Sequence, residues 1–333
     1  PGFQLENRNL LHLVDCKTGS ICINGTVYEM LDSHFPTVDP QDPYRLTPEE
    51  ELIMERLVNA FRNCEKLQQH MRFLLAKGSL YKVYNGNLLY HGCIPLNEDG
   101  SFREVEIYGR KCKGKALYEC LDSYVRQAFV AIDCEERKKG RDICWYIWLH
   151  ENSPLFGKDK MATFERYFLA DKETHREKKN PYYSLLEEED TARGILREFG
   201  LSEEDGHIIN GHVPVKSKNG ENPVKCNGKV LVIDGGFSKA YQKETGIAGY
   251  TLIYNSYGLI LAAHEPFEST EAAIEKESDI HSESIIIKRV SNRKLVGDTD
   301  IGCRLRAKIV DLEMLLEAYH TGRIVEKFPV RGI

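Results

Sequence analysis

The sequence lacks long apolar runs, closely paired cysteines and an excess of positive charge. Its longest apolar run extends only from Ile143 to Leu149, far short of the ~18 residues that a membrane-spanning helix needs. None of its 10 cysteines forms a Cys-x-x-Cys pair, which disfavours a zinc or redox motif and favours reduced thiols. A net charge of -6 disfavours an extended nucleic-acid-binding surface. We therefore expect a soluble cytoplasmic protein that binds neither membrane nor nucleic acid.

Internal repeats and low-complexity segments are also absent, and the 333 residues are enough for one large domain or two smaller ones. The pattern predicts an α/β protein with mixed β-sheets flanked by helices. Residues 1–115 read as a strand-rich part with one long helix. Residues 116–206 read as a mainly helical insertion, and residues 207–333 as a second strand-rich part with a C-terminal helix.

Turn residues punctuate the predicted strands. Asn24-Gly25 and Asn85-Gly86 lie between apolar runs, which predicts two hairpins with type I′ turns because both central residues of that turn need positive φ. A third hairpin is predicted around residues 255–258, with a four-residue loop. The strand after Asn85-Gly86 leads directly into His91.

Helical periodicity is strongest in two segments. Thr47-Pro48-Glu49-Glu50 has the pattern of a capping box with proline at the first helical position, and predicts a helix to about Ala76. A second helix is predicted from about Leu305 to Tyr319. The first helix carries apolar residues at three-or-four spacing, which predicts one buried face: Ile53, Leu57, Ala60, Phe61, Cys64, Leu67, Met71, Leu74 and Leu75.

Two histidines, His91 and His212, share an unusual context. Each follows a short apolar run, adjoins a glycine and precedes a proline. A neutral imidazole at a rigid strand end is well placed to bind a metal. An ordinary hydrogen-bonded histidine near a turn would give the same pattern, so both interpretations stay open at this level.

The residues around these histidines resemble known motifs. Residues 88–95, Leu-Leu-Tyr-His-Gly-Cys-Ile-Pro, are similar to the histidine motif of calcineurin-like metallophosphoesterases. Residues 208–215 and 232–236 are similar to a later pair of motifs in the same superfamily. More closely, the span from Leu10 to Arg323 resembles the second half of the class III fructose-1,6-bisphosphatases of bacteria. The segments that carry this resemblance are 24–37, 153–158, 164–167, 178–183 and 254–258.

The resemblance implies a binuclear metal site, usually manganese, in which His91 and His212 bind the same ion. It implies hydrolysis of fructose 1,6-bisphosphate to fructose 6-phosphate and phosphate in gluconeogenesis, with phosphoenolpyruvate and AMP as effectors. The implied fold is the second half of a layered metallophosphoesterase sandwich.

Three motifs of the family's first half do not occur in this sequence: Gly-Asp-x-His, Gly-Asp-x-x-Asp-Arg-Gly and Gly-Asn-His-Asp. In the family they supply the bridging aspartate, the other metal's ligands and the catalytic histidine, so we predict no catalytic residue in this chain. Two histidines cannot hold two hard divalent ions about 3.5–4 Å apart, because such ions also need carboxylate oxygens. We expect a C-terminal portion of one incomplete catalytic domain, inactive alone, that needs the N-terminal half or associates with itself.

Other candidate residues have a functional and a structural interpretation. Lys158 and Arg166 are candidates for gripping a substrate phosphate, whereas Lys160, Lys172, Lys178 and Lys179 read as a solvated helical face. Asp234 could orient His212 or cap a turn. The resemblance puts Asn255 and Tyr257 near the substrate, although a turn role also explains them. The remaining aromatic candidates, Trp145, Trp148, Tyr182 and Tyr183, are predicted to be core residues.

Two other functions remain open from the sequence. One keeps the metallophosphoesterase chemistry but takes a phosphoprotein or a dinucleoside polyphosphate as substrate. The other is a non-catalytic regulatory or assembly fragment. The predicted helical insertion favours the sugar bisphosphate.

Overall fold

The computed structural model describes residues 3, 5–236, 238–266, 269–277 and 282–325. Helices and strands are interspersed along the chain, in agreement with the predicted α/β class. The chain divides into two compact units: Pro1–Lys82, Leu88–Val213 and Lys225–Leu231 form the first, and Val83–Asn87, Pro214–Val224 and Val232–Ile333 form the second. Among the described residues, no helix is long and apolar enough to cross a membrane.

The secondary-structure elements of the described residues have the following bounds. The strands are β1 (Val14–Asp15), β2 (Ser20–Ile23), β3 (Thr26–Glu29), β4 (Tyr81–Tyr84), β5 (Asn87–Tyr90), β6 (Val105–Ile107), β7 (Arg110–Cys112), β8 (His207–Asn210), β9 (Val224–Lys225), β10 (Val230–Val232), β11 (Gly249–Asn255), β12 (Gly258–His264) and β13 (Ser282–Arg289). The helices are α1 (Pro48–Asn63), α2 (Glu65–Lys77), α3 (Gly114–Val130), α4 (Cys134–Leu149), α5 (Thr163–Phe168), α6 (Tyr182–Leu185), α7 (Glu189–Glu198), α8 (Lys239–Thr245), α9 (Thr270–Glu275) and α10 (Asp300–His320).

The two Asn-Gly hairpins are confirmed. Asn24 and Gly25 have φ of 51° and 81° between the antiparallel strands β2 and β3, and Asn85 and Gly86 have φ of 50° and 78° between β4 and β5. Positive φ at both central residues is the requirement of a type I′ turn. A third such turn, Tyr108-Gly109 between β6 and β7, was not predicted, because tyrosine rarely adopts positive φ.

The sheet that carries the histidines has the strand order β4-β5-β8-β10-β9. Strands β5 and β8 are neighbours in it, and the Gly211 N–H donates to the His91 carbonyl at 2.9 Å just beyond their ends. The exits of the two strands therefore lie side by side. This bond holds the backbone of the two histidine-bearing turns together.

Helices α3 and α4 pack against each other and against β6 and β7 in the first unit. The core between them contains Ile107, Leu117, Leu121 and Ile143, all fully buried. The sequence predicted helix through this region, and α4 also contains the Trp145–Trp148 segment. The helix pair supplies the rigid support from which the loop after Leu149 begins.

The long N-terminal helix differs from its prediction. The capping box at Thr47 is confirmed, but the helix is interrupted at Cys64, whose backbone is extended, so that α1 and α2 replace one helix. The predicted buried face is wrong for the described residues: Ile53 is 55% exposed and Phe61 65% exposed. Periodicity fixes which residues share a face, but it does not provide a surface for that face to pack against.

The second unit contains the antiparallel sheet β11-β12-β13. The helix predicted from about Leu305 is α10, which begins at Asp300. The β11–β12 pairing continues to Asn255 and Gly258, so the loop has two residues rather than the predicted four. The Asn255 Oδ1 accepts from the Tyr257 N–H at 2.8 Å, which closes the turn within that short loop.

Candidate metal centre

The imidazoles of His91 and His212 face each other at the exits of β5 and β8. The His91 Nε2 lies 3.0 Å from the His212 Nδ1. The rings are 4.9 Å apart between centroids and inclined by 66°. His91 is exposed and His212 is half-buried. Two residues separated by 121 positions in the chain thus place two imidazole nitrogens, both potential metal ligands, next to each other.

A backbone carbonyl fixes the tautomer of His212. Its Nε2 lies 2.9 Å from the Phe156 carbonyl oxygen. A carbonyl only accepts, so Nε2 carries the proton and donates it, and in the neutral ring Nδ1 then presents a lone pair. The His91 Nε2–H donates to that lone pair. This is the pattern of a metal-ligating histidine, in which the nitrogen that does not face the metal site donates to a backbone or carboxylate oxygen.

The backbone of His212 is strained. Its φ is +67°, and the Val213 N–H donates to the Gly211 carbonyl at 2.9 Å, which makes His212 the central residue of the rare γ-turn with positive φ. A non-glycine residue in this region costs on the order of 1–3 kcal/mol, and such residues cluster at functional sites. The strain is consistent with a requirement for the imidazole at this position.

Gly92 allows the loop that carries Phe156 to approach β5. A Cβ on Gly92 would lie 2.5 Å from the Pro154 carbonyl oxygen, which also accepts from the Cys93 N–H at 2.8 Å. The buried Ser153 side chain donates to the Ile147 carbonyl at 2.5 Å, which ties the loop to the end of α4. Close backbone contact at Gly92 therefore positions the carbonyl that orients His212.

Buried hydroxyls and a buried amide adjoin the backbone of the two histidine-bearing turns. The Asn210 Nδ2 donates to the Gly92 carbonyl at 3.2 Å and to the Tyr182 hydroxyl at 2.8 Å. The Tyr182 and Tyr90 hydroxyls are 2.5 Å apart. Burial raises the pKa of Tyr90 far above its ordinary value and that of the adjacent Cys93 thiol to about 12. These groups stay neutral, so they support the turns rather than act as nucleophiles or anionic ligands.

The histidine pair opens into a cavity of about 560 Å³ within the first unit. Lys158, Arg166 and Glu177 line it together with His91 and His212. The remaining wall is largely apolar: Cys144, Ile147, Trp148, Leu155, Phe156 and Met161. A cavity with an imidazole pair, two cations and an apolar wall can accept a phosphorylated molecule of small size.

Glu177 connects the two cations of this cavity. Its carboxylate lies 2.9 Å from the Lys158 Nζ and 3.0 Å from an Arg166 guanidinium nitrogen, and it accepts from the Ala162 N–H at 3.1 Å. Burial raises the pKa of Glu177, but the hydrogen bonds from Lys158 and the Ala162 N–H outweigh it and hold that pKa below its ordinary value. Glu177 is therefore ionised at neutral pH.

The structure brings together four of the seven predicted site residues: His91, His212, Lys158 and Arg166. The other three belong to the second unit and make turn contacts. The Asp234 Oδ1 accepts from the Gly236 N–H at 3.0 Å, and Asn255 caps its hairpin as described above. Tyr257 is 60% exposed, and the Arg293 guanidinium lies over its ring.

Other local predictions have mixed outcomes. Lys179 pairs with Lys158 in an extended β-bridge, so the predicted solvated helical face is wrong for Lys179. Trp145 and Trp148, predicted as core, are half exposed. The core assignment of Tyr182 is confirmed.

Sequence reasoning missed two contributors to the site. The Phe156 carbonyl is a main-chain group without a sequence signature, although it lies in the resembling segment 153–158. Glu177 is one of several acidic residues interleaved with the basic residues of segment 158–179, and no motif distinguishes it from the others. Its position beside Lys178-Lys179 offers no signal that it faces Lys158 across the bridge.

Comparison with known proteins gives consistent matches. The Firmicute fructose-1,6-bisphosphatase family matches residues 1–321. Class 3 fructose-1,6-bisphosphatases of Clostridium beijerinckii, Alkaliphilus metalliredigens and Listeria innocua are 53%, 54% and 54% identical to this chain, over 98%, 98% and 97% of it. The chain covers 49%, 50% and 50% of these relatives, so it spans about half their length.

No solved structure matches the chain. The family match extends over nearly the whole sequence and includes both histidine-bearing turns and the cavity between them. The chain therefore belongs to the Firmicute fructose-1,6-bisphosphatase family.

Proposed function

We propose that this chain forms the C-terminal part of a cytoplasmic, manganese-dependent fructose-1,6-bisphosphatase with a metallophosphoesterase fold. In that enzyme it contributes two histidine ligands and part of the substrate cavity. The observation that carries the proposal is the pair of imidazole nitrogens 3.0 Å apart, one of them oriented by the Phe156 carbonyl. Family membership supports the substrate, because the relatives are named fructose-1,6-bisphosphatases.

The histidine pair fits one divalent ion. The His91 Nε2 and the His212 Nδ1 lie 3.0 Å apart, close enough for both imidazoles to bind one ion. The His212 Nδ1 already carries a lone pair, and His91 needs only to place its proton on Nδ1 instead of Nε2. His91 and His212 would therefore hold the ion without a rearrangement of either turn.

Further ligands must come from elsewhere in the complete protein. Over the part of the chain that the structure describes, no group of three or more histidine, cysteine, aspartate or glutamate side chains could hold a metal. When bound, a pair of divalent ions generates a hydroxide at neutral pH and neutralises the oxygens of the phosphoryl group in an in-line displacement. We propose that this chain alone binds manganese weakly and does not hydrolyse fructose 1,6-bisphosphate.

The cavity supplies the substrate contacts in this proposal. Lys158 and Arg166 attract one phosphate of the bisphosphate, and the other phosphate is left for the histidine pair that lines the same cavity. The apolar wall that includes Trp148 and Leu155 excludes water around the sugar carbons. This division of roles positions the ester bond relative to the two histidines.

The test compares this chain with the complete protein of the length found in the relatives. Phosphate release from fructose 1,6-bisphosphate is measured with manganese for both, and for His91→Ala and His212→Ala in the complete protein. His70→Ala, an exposed position on α2, is the matched control. Manganese binding by each protein is measured separately by electron paramagnetic resonance.

We expect activity only in the complete protein, a loss of more than about 100-fold in each ligand variant and no loss in the control. Weakened manganese binding should accompany each loss. Activity that survives both ligand variants would disprove the assignment of the histidines. Cleavage of a generic phosphate ester without cleavage of fructose 1,6-bisphosphate would support the proposed metal-dependent hydrolysis and disprove the proposed substrate.

A further inference from the structure

We propose that Glu177 is a positioning residue that holds Lys158 and Arg166 as a preformed clamp for a phosphate group. The assignment of that phosphate to the substrate rests on the proposed function, but the clamp itself does not. Glu177 contacts both cations and a backbone N–H, whereas neither cation has to move to face the cavity that the three residues line.

The geometry distinguishes an anchor from a surface ion pair. The Glu177 side chain is only 10% exposed, whereas those of Lys158 and Arg166 are 29% and 53% exposed. The carboxylate thus lies beneath the two cations, which remain accessible. Because burial weakens solvent screening, the attraction within the triad of Glu177, Lys158 and Arg166 is stronger than between the same charges at an open surface.

The triad keeps both charge and donors for a ligand. Two cations and one carboxylate leave a net charge of +1. A lysine ammonium has three donors and an arginine guanidinium five. Glu177 accepts a hydrogen bond from the Lys158 Nζ and forms an ion pair with one Arg166 nitrogen. A phosphate oxygen can therefore bind without displacing the carboxylate.

The backbone around Glu177 is braced. The Asp159 N–H donates to the Lys178 carbonyl at 2.9 Å, and the Lys178 N–H donates to the Asp159 Oδ1 at 2.7 Å. These bonds and the bridge between Lys158 and Lys179 fix the segment of Glu177 beside the segment of Lys158. Without Glu177 the two cations would repel each other, and each long side chain would have to be ordered at every binding event.

The direct test is binding of inorganic phosphate by this chain without metal. The chain has two tryptophans, and Trp148 lines the cavity, so tryptophan emission reports occupancy. We expect Glu177→Gln to weaken phosphate binding about tenfold or more, because the cations lose their shared charged partner. Glu173→Gln is the matched control: this glutamate pairs with Arg176 on the exposed surface, and we expect a change below about twofold.

The catalytic readout uses the complete protein with manganese. Glu177→Gln should raise KM for fructose 1,6-bisphosphate while kcat changes much less, which a purely structural role would not produce. Unchanged phosphate binding, or tighter binding because the carboxylate merely competes with phosphate, would overturn the proposal. Failure of the wild-type chain to bind phosphate would also overturn it.

A second variant covers the case in which Glu177→Gln does not fold. Glu177→Asp keeps the negative charge, but its shorter side chain cannot reach both cations at once, so we again expect weaker phosphate binding with a cooperative unfolding transition. Wild-type binding by this variant would overturn the clamp. If phosphate binding responds as expected but the complete protein does not hydrolyse fructose 1,6-bisphosphate, the clamp stands and the proposed function falls.

Discussion

The His212 Nε2 lies 2.9 Å from the Phe156 carbonyl, and this single bond determines which nitrogen of His212 faces His91. The bond depends on two backbone features that are testable separately. One is the close approach at Gly92, and the other is the positive φ of His212.

Gly92→Ala tests the close approach. A new Cβ would lie 2.5 Å from the Pro154 carbonyl, so we expect a loss of about 1–3 kcal/mol in the free energy of unfolding and weaker manganese binding in the complete protein. Urea denaturation and metal titration measure the two effects. The control is Gly194→Ala in α7, where a Cβ meets nothing within 4 Å; it should raise stability by up to about 1 kcal/mol. Equal effects of the two substitutions would contradict the steric argument.

Two substitutions at His212 separate its backbone strain from its side chain. Both His212→Ala and His212→Gly remove the imidazole and should abolish its share of metal binding. Glycine accepts positive φ freely, so His212→Gly should be more stable than His212→Ala by about 1 kcal/mol. Thermal unfolding of the two variants measures the difference. An alanine variant that is at least as stable as the glycine variant would show that the γ-turn is not strained.

The tyrosine pair beneath the histidines should contribute to stability through its hydroxyls. Tyr90→Phe and Tyr182→Phe each remove a buried partner from the 2.5 Å contact, at an expected cost of about 1–3 kcal/mol in unfolding free energy. Because the hydroxyls share one interaction, the double variant should cost less than the sum of the two. Tyr167→Phe, at a position 73% exposed, should cost almost nothing. Additive losses would rule out the coupling.

Acid should destabilise the first unit through His150. Burial lowers the pKa of His150 to about 4, from an ordinary value of 6.5. Its Nδ1 accepts from the Asn152 N–H at 3.1 Å, which requires the neutral ring. Between pH 6.5 and about 4 the unfolded state binds the proton and the folded state does not. The stabilisation of the folded state by the neutral His150 ring is therefore complete above pH 6.5 and is lost as the pH falls to 4. The expected loss is at most about 3 kcal/mol.

His150→Asn isolates this effect from the other titrating groups. Asparagine can accept from the N–H two residues ahead, so the loop contact is retained without a titrating ring. The unfolding free energy of the variant should depend less steeply on pH over the same window, whatever its absolute stability. Parallel pH profiles of the two proteins would exclude His150 as the cause.

Local signals predicted the parts of the fold that short-range chemistry determines. The Asn24-Gly25 and Asn85-Gly86 turns and the Thr47 cap depend on residues within four positions of each other, and all three are confirmed. The break at Cys64 was missed because no glycine or proline marks it. The exposure of Ile53 was missed because burial depends on what another element presents to that face.

The site was predictable where it consists of side chains with a recognisable setting. His91 and His212 were identified from the strand, glycine and proline around each, and the structure brings them together, although their metal-binding role stays a prediction. The link from Glu177 to Lys158 could not be predicted, because it depends on pairing between segments 19 residues apart. The Phe156 contact could not either, since every residue has a carbonyl.

The main-chain contact at Phe156 affects how this site tolerates sequence change during evolution. The group that orients His212 belongs to the main chain, so selection for its position does not act on a polar side chain at residue 156. It acts instead on Gly92, where any side chain would push the loop away, and on Gly157, where φ is +62° and a Cβ would meet the Cys93 sulfur at 2.9 Å. In a saturation scan, we therefore expect substitutions at Gly92 and Gly157 to be poorly tolerated because they disturb the orientation of the His212 imidazole. Neither glycine touches a ligand.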